Sequence, residues 1–174
     1  MYTVGSKVVH PCYGAGTIVR IQDKSIGDTT HAYYVINTVS RSMQLMVPVR
    51  GADEAGLRQV LTPVSLREML KACHDLPAGD DINPDLRSRQ ADMRERLKSG
   101  DLTEVVDVVR QLFFMNNARP LGTVDRQLFD QGKELLAGEL ALTTGAEMLT
   151  AMQEVEDNLA VMLREDGAEA EAAQ

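Results

Sequence analysis

Four places in this sequence carry side chains whose types and spacing could do chemistry. His10-x-Cys12 lies in a β-prone run, where alternate residues face the same side, so imidazole and thiol could be two ligands of one metal ion. A tetrahedral site would then need Cys73, His74 or His31 to complete it. Cys73 and His74 adjoin on a predicted helix and diverge by about 100°, which keeps them off a shared ion. A Cys–His nucleophile fares no better, because neither cysteine stands at a helix N-terminus or in a basic cluster that would hold a thiolate. A buried thiol and surface imidazoles account for these residues. Gly14-Ala15-Gly16 begins like a dinucleotide loop, but Val19 stands where the third Gly belongs and a strand follows instead of a helix. It is a turn. The residues point to no catalytic group, no metal site, no cofactor and no enzyme.

The fourth place is a helix predicted over 84–98. Stepped at about 100° per residue from Leu86, its apolar stripe is Leu86, Met93 and Leu97, with Gln90 inside it. Arg87, Arg94 and Lys98 fall on one flank and Arg89 and Arg96 on the other, while Asp85, Asp92 and Glu95 turn to the back. An apolar line bordered by cations can grip phosphates while its apolar side chain presses on bases or sugars. The same pattern also fits a core-facing stripe with snorkelling neighbours and ion pairs along the helix. Periodicity by itself favours the second account.

The elements that must position these residues come in two styles. Up to about Pro48, Val8-Val9, Thr17–Ile21, Ala32–Ile36 and Met43–Val47 are short β-branched and aromatic runs separated by turn residues, among them Gly27-Asp28 and Ser40-Arg41-Ser42. They predict a small bent sheet or barrel of the SH3/Tudor kind. After Thr62 the period becomes helical. Pro63 opens a helix with Ser65 and Glu68 at capping-box spacing, ending near His74. An exposed linker follows over 76–81. Asn83 and Pro84 look like the N-cap and first residue of the basic helix, and Asp101 and Glu104 cap the next, which Arg119-Pro120-Leu121-Gly122 breaks. Two more helices are predicted over 124–142 and 145–164. Thr144 and Glu147 box the second, whose Met148, Met152, Val155, Leu159 and Met162 form a packing stripe. The fold class is therefore α+β: an N-terminal SH3/Tudor-like β module over 1–62, an all-α helical bundle over 63–164 and a disordered acidic tail over 165–174.

Composition narrows the partners. The chain has 174 residues, 44% hydrophobic and 25% charged, with no Trp and a net charge of −8. No run approaches the ~20 consecutive apolar residues of a membrane span. The first residues lack the basic start and apolar core of a signal peptide, and two cysteines are too few for a disulfide framework, so a reducing, cytoplasmic setting is expected. The charge is graded: six basic against four acidic side chains over 1–62, eight against ten over 63–118, four against twelve over 119–174. A polyanion is expected to meet the first two thirds and avoid the last.

Several separated segments resemble one family. Val4-Gly5-Ser6-Lys7-Val8-Val9-His10-Pro11 with Tyr13-Gly14-Ala15-Gly16, then Tyr33–Ile36, Met46–Val49 and Gly56-Leu57-Arg58, are similar to the opening strands and domain junction of the CarD/CdnL family of bacterial transcription regulators. Ser99-Gly100-Asp101 with Val105–Leu112 resembles its middle helices, and Glu134–Leu142 is the closest stretch of all. The resemblance implies a Tudor-like module docking on the β subunit of bacterial RNA polymerase. It also implies a helical domain touching promoter DNA at the upstream edge of the −10 region, where a wedged side chain slows bubble collapse. The protein would be a nucleoid-associated monomer.

Carried over residue by residue, the family's wedge tryptophan falls on Leu86, which keeps an apolar wedge but loses the flat ring and indole N–H. The basic residues beside it correspond to Arg87 and Arg89. Lys24 and Met46 occupy positions where the family often has Arg, and Met46 keeps bulk without charge. Strand addition along Gln44, Leu45, Met46 and Val47 would still use main-chain hydrogen bonds. The expected sites are thus Lys24 with 44–47 for polymerase, and Leu86, Arg87, Arg89, Arg94, Arg96 and Lys98 for DNA. The alternative is a protein-interaction module that docks without a productive DNA wedge.

Overall fold

The computed structural model describes the backbone of residues 1–172 and the side-chain surroundings of residues 1–164. Five strands, β1 (Lys7–His10), β2 (Gly14–Ile26), β3 (Thr29–Thr38), β4 (Gln44–Pro48) and β5 (Arg58–Gln59), form one antiparallel sheet in the order β4-β3-β2-β1-β5. The register shifts between Ile18 and Arg20, a bulge that bends β2. Val8, Ile18, Tyr34, Ile36, Leu45, Val47 and Leu57 form one buried cluster. The β2–β3 hairpin outruns its hydropathy pattern: pairing continues through Lys24–His31 to Ile26–Thr29 before the Gly27-Asp28 loop closes it. The residues of that arm are exposed, so the main-chain ladder rather than burial holds it.

Five α-helices follow among the described residues: α1 (Pro63–Leu70), continued by a 3-10 turn over Lys71–His74, α2 (Leu86–Leu97), preceded by a 3-10 turn over Gly79–Asp81, α3 (Leu102–Ala118), α4 (Thr123–Thr144) and α5 (Met148–Ala172). Three expected caps differ. Thr62 caps α1, its hydroxyl accepting from Ser65 N–H at 3.2 Å. Asp85 caps α2, accepting from Ser88 N–H at 2.7 Å, while Asn83 instead accepts from Asp85 N–H in the approach to the helix. Thr144 is the last residue of α4 and not the first cap of α5. Its hydroxyl donates to Leu140 O at 2.6 Å, and Gly145, at φ 76°, ends the helix in the left-handed region that glycine adopts without strain. The expected tail over 165–174 falls on the end of α5 as far as Ala172, and its last two residues lie outside the described residues.

The helices share one core in which Met93, Leu97, Val105, Val109, Leu112, Phe129, Leu136, Val155 and Leu159 are buried, with Met148 and Met152 of the α5 stripe packed against it. α3 and α4 meet at Gly132, where a Cβ would stand 2.4 Å from Val109 Cγ2. Sheet and bundle meet along α4. Lys7 Nζ donates to Leu142 O at 2.8 Å, Arg41 pairs with Glu134 at 3.4 Å and Arg58 pairs with Glu139 at 2.7 Å. The chain is α+β, as its two periods predict.

Candidate functional site

β4 ends the sheet, so one side of it is free. Its residues alternate strictly: Leu45 and Val47 point into the sheet core, whereas Gln44, Met46 and Pro48 are exposed, Met46 by 40%. The main chain alternates too. Thr38 N–H donates to Met43 O and Val49 N–H to Ala32 O, which makes Ile36–Leu45 and Tyr34–Val47 the hydrogen-bonded pairs between them. Gln44 and Met46 therefore turn their N–H and C=O groups to the free edge, and Pro48 offers only its carbonyl. Leu45 and Val47 belong to this surface through the strand they hold in place and not through their side chains. Lys24 is exposed on the hairpin arm, opposite His31 and past the end of β4.

On α2 the structure divides the six expected residues. Met93 and Leu97 are buried, so the core-facing account holds for the second half of the helix. Arg89 joins that buried face instead of flanking it. It is 9% exposed, Nη2 donates to Asp125 Oδ2 at 3.1 Å, Nη1 donates to Asn83 O, and Nε finds no acceptor among the described residues. Withdrawing it to reach a phosphate would leave buried Asp125 without its counter-charge, held by Gln90 alone, at about 3–5 kcal/mol. A charged hydrogen bond to the phosphate contributes only about 1.5–3 kcal/mol.

Arg96 is also engaged, by Glu104 and by Asp107 at 2.5 Å. Burial opposes its charge, yet those carboxylates raise its pKa above the ordinary guanidinium value. Burial likewise works to raise Asp107, but Arg96 and Arg110 outweigh it and hold the carboxyl below the usual range. Arg89 and Arg96 are therefore corrected from free cations to internal braces, because their partners arrive from α3 and α4.

Leu86, Arg87, Arg94 and Lys98 remain. Leu86 is 52% exposed although it starts the stripe that Met93 and Leu97 bury. Arg87, Arg94 and Lys98 are exposed along one flank and make no ion pair among the described residues. Leu86 stands at the rim of an open cleft of about 560 Å³ walled by Phe114, Met115, Leu121 and Val124, with Arg119 beside it. Arg119 is exposed and without an ion-pair partner among the described residues. Arg126, one turn into α4, donates only to Asn116 Oδ1 at 3.1 Å. These residues escape a sequence reading because Arg119-Pro120-Leu121-Gly122 registers as a helix break, and the acidic total of the last third masks two guanidiniums.

Cys12 N–H donates to His10 Nδ1 at 3.1 Å in the turn after β1, and no cluster of three metal-ligating side chains exists among the described residues. Cys73 is buried, which pushes its thiol up to about 12, and His74 pairs with Asn158 at 2.9 Å. No helix among the described residues is long and apolar enough to cross a membrane.

Two family models match the chain: the CarD-like/TRCF RID domain over residues 2–61 and the CarD C-terminal domain over residues 78–156. The chain belongs to the CarD-like family. Its sequence is 27% identical over 147 residues to YdeB of Bacillus subtilis (strain 168), a candidate transcription factor, across 83% of this chain and 94% of that one. The first match of the CarD-like chain holds all five strands, and the second holds α2, α3, α4 and the start of α5. The family is one of transcription regulation, and its RID modules interact with RNA polymerase.

Proposed function

We propose that this CarD-like protein docks on the β subunit of RNA polymerase through the free edge of β4 and brings the start of α2 to promoter DNA at the upstream edge of the −10 region, lengthening the life of the open complex. Residues 1–62 and 63–164 are the docking and DNA-facing modules. Leu86 is the wedge, Arg87 its phosphate partner, and Arg94 and Lys98 extend the cationic flank. One observation carries this reading: Leu86 alone of its stripe is left uncovered, beside an exposed Arg87 with no ion pair among the described residues, in a chain both of whose halves match CarD-like models. A regulator of this kind performs no chemistry. It shifts a population, and each ~1.4 kcal/mol of preference for the open state is tenfold in occupancy.

A second reading is supported by the absence of any Trp and by the internal pairing of Arg89 and Arg96. In it the chain docks on polymerase without a productive wedge. Open-complex lifetime at an unstable promoter, followed with a fluorescent −10 probe and bacterial RNA polymerase, separates the two. A longer lifetime with this protein supports the wedge. An unchanged lifetime, with polymerase binding measured in the same sample, establishes the second reading.

A further inference from the structure

The stretch that most resembles the family, Glu134–Leu142, lies on neither of the surfaces above. It is part of α4, and α4 carries two buried carboxylates, Glu139 at 0% and Asp125 at 5% exposure. They stand about 21 Å apart along the helix and within about 40° of one face. Glu139 holds the sheet: Arg58 of β5 donates through Nη1 and Nη2 to its two oxygens at 2.7 and 2.8 Å, and Leu61 N–H donates to Oε1 at 2.8 Å. Arg58 Nε reaches on to Gly100 O, in the turn between α2 and α3, at 3.1 Å. Asp125, at the other end, holds α2 by accepting from Arg89 Nη2 at 3.1 Å and Gln90 Nε2 at 2.9 Å.

Burying ion pairs is a poor way to gain stability, since apolar residues of similar volume often serve as well or better. Bidentate hydrogen bonds add direction, because the guanidinium fork meets a carboxylate in one plane. The packed core holds the helices together, and the two clamps add directed bonds from α4 to the sheet at one end and to α2 at the other.

We infer that Glu139 and Asp125 are positioning residues that make α4 a strut between the two surfaces, so that anchoring β4 on a protein partner fixes where Leu86 and Arg87 stand. For its consequence at a promoter this rests on the proposed function. The strut itself belongs to the free protein. A rigid span concentrates the second contact at one place, whereas a slack one spreads it over many orientations and weakens the joint contact with no loss at either surface.

The test pairs a distance measurement with a functional split. Spin labels go on the exposed native Cys12 and on Ala91→Cys in α2, or on Cys12 and Thr150→Cys in α5, with buried Cys73 left unlabelled. Electron–electron double resonance then gives each distance distribution in the full chain. Both pairs are expected to be narrow in the parent. Glu139→Gln should at least double the width of both, and Asp125→Asn that of the Ala91→Cys pair only. Each variant should shorten the lifetime extension at least fivefold while polymerase affinity stays within twofold.

Arg58→Gln breaks the same clamp from its more exposed side and replaces Glu139→Gln if that variant does not fold. Unchanged widths in the folded variants overturn the inference. So does a parallel loss of polymerase binding and lifetime, the mark of a merely structural role. If the parent protein never lengthens the open complex, the proposed function fails, and the distance distributions still decide the strut.

Discussion

The free edge of β4 and the start of α2 are the two surfaces that the proposed function uses, and they are made of different parts of the chain. β4 offers the N–H and C=O groups of Gln44 and Met46, held in line by Leu45 and Val47 in the core beneath. α2 offers side chains, Leu86 and Arg87 foremost, while its remaining turns are bound by Met93, Leu97 and the braces of Arg89 and Arg96. A contact made by main-chain groups is expected to tolerate a change of residue type, and one made by side chains is not. Under the proposed function, that asymmetry predicts that Met at position 46 is compatible with docking and that the residue at position 86 sets the strength of the DNA contact.

The largest effect is expected where the backbone surface is broken as backbone. Met46→Pro removes a donor that faces the free edge and touches no bond to β3, so polymerase affinity should fall ten- to a hundredfold. At about 0.5–1.5 kcal/mol per hydrogen bond the lost donor supplies part of this and the ring's clash with an incoming strand the rest. Met46→Ala should change the affinity less than threefold, measured by the same titration, and a large loss there would mean that side chains and not the edge carry docking. Next comes the wedge. Leu86→Ala should shorten the open-complex lifetime five- to tenfold, about 1–1.4 kcal/mol, with polymerase affinity unchanged, and Leu86→Trp should lengthen it.

Cations on the exposed flank rank lower. Arg87→Glu should weaken promoter contact and reduce the slope of log affinity against log salt by about one phosphate contact. Arg89→Gln, by contrast, should leave that slope unchanged and appear instead as lost thermal stability. The smallest effect is in pH. Arg96 and Arg110 hold Asp107 below the ordinary carboxylate value, so its contribution is complete above the unfolded carboxyl pKa of about 3.9 and is lost as pH falls through the lower folded value. Thermal melts of Asp107→Asn and the parent should therefore converge only below that range.

Much of this was legible in the sequence. The change from period 2 to period 3.6 near Thr62, Asp101 at the head of α3 and the Met/Leu stripe of α5 are local patterns, and local patterns follow from neighbours along the chain. The hairpin arm past Ile21 was not legible, because its polar residues are ordered by pairing with the opposite strand. The moved caps at Thr62 and Asp85 differ from the expected ones by only a few residues, since several short polar side chains compete there for the same free N–H groups.

At α2 the sequence by itself determined that one helix would carry an apolar line between two cationic flanks, with its carboxylates at the back. Periodicity and side-chain type decide that much, and both are properties of the segment alone. Only the tertiary structure decided which cations are free. Asp125 reaches Arg89 from α4, and Glu104 and Asp107 reach Arg96 from α3, so whether a guanidinium faces a phosphate or a neighbouring helix depends on packing between segments. The same holds for Glu139, one acidic residue among the twelve of the last third until Arg58 and Leu61 arrive from the sheet. A charge is assigned its role by what lies within about 3 Å of it, and that distance is set by folding rather than by position in the chain.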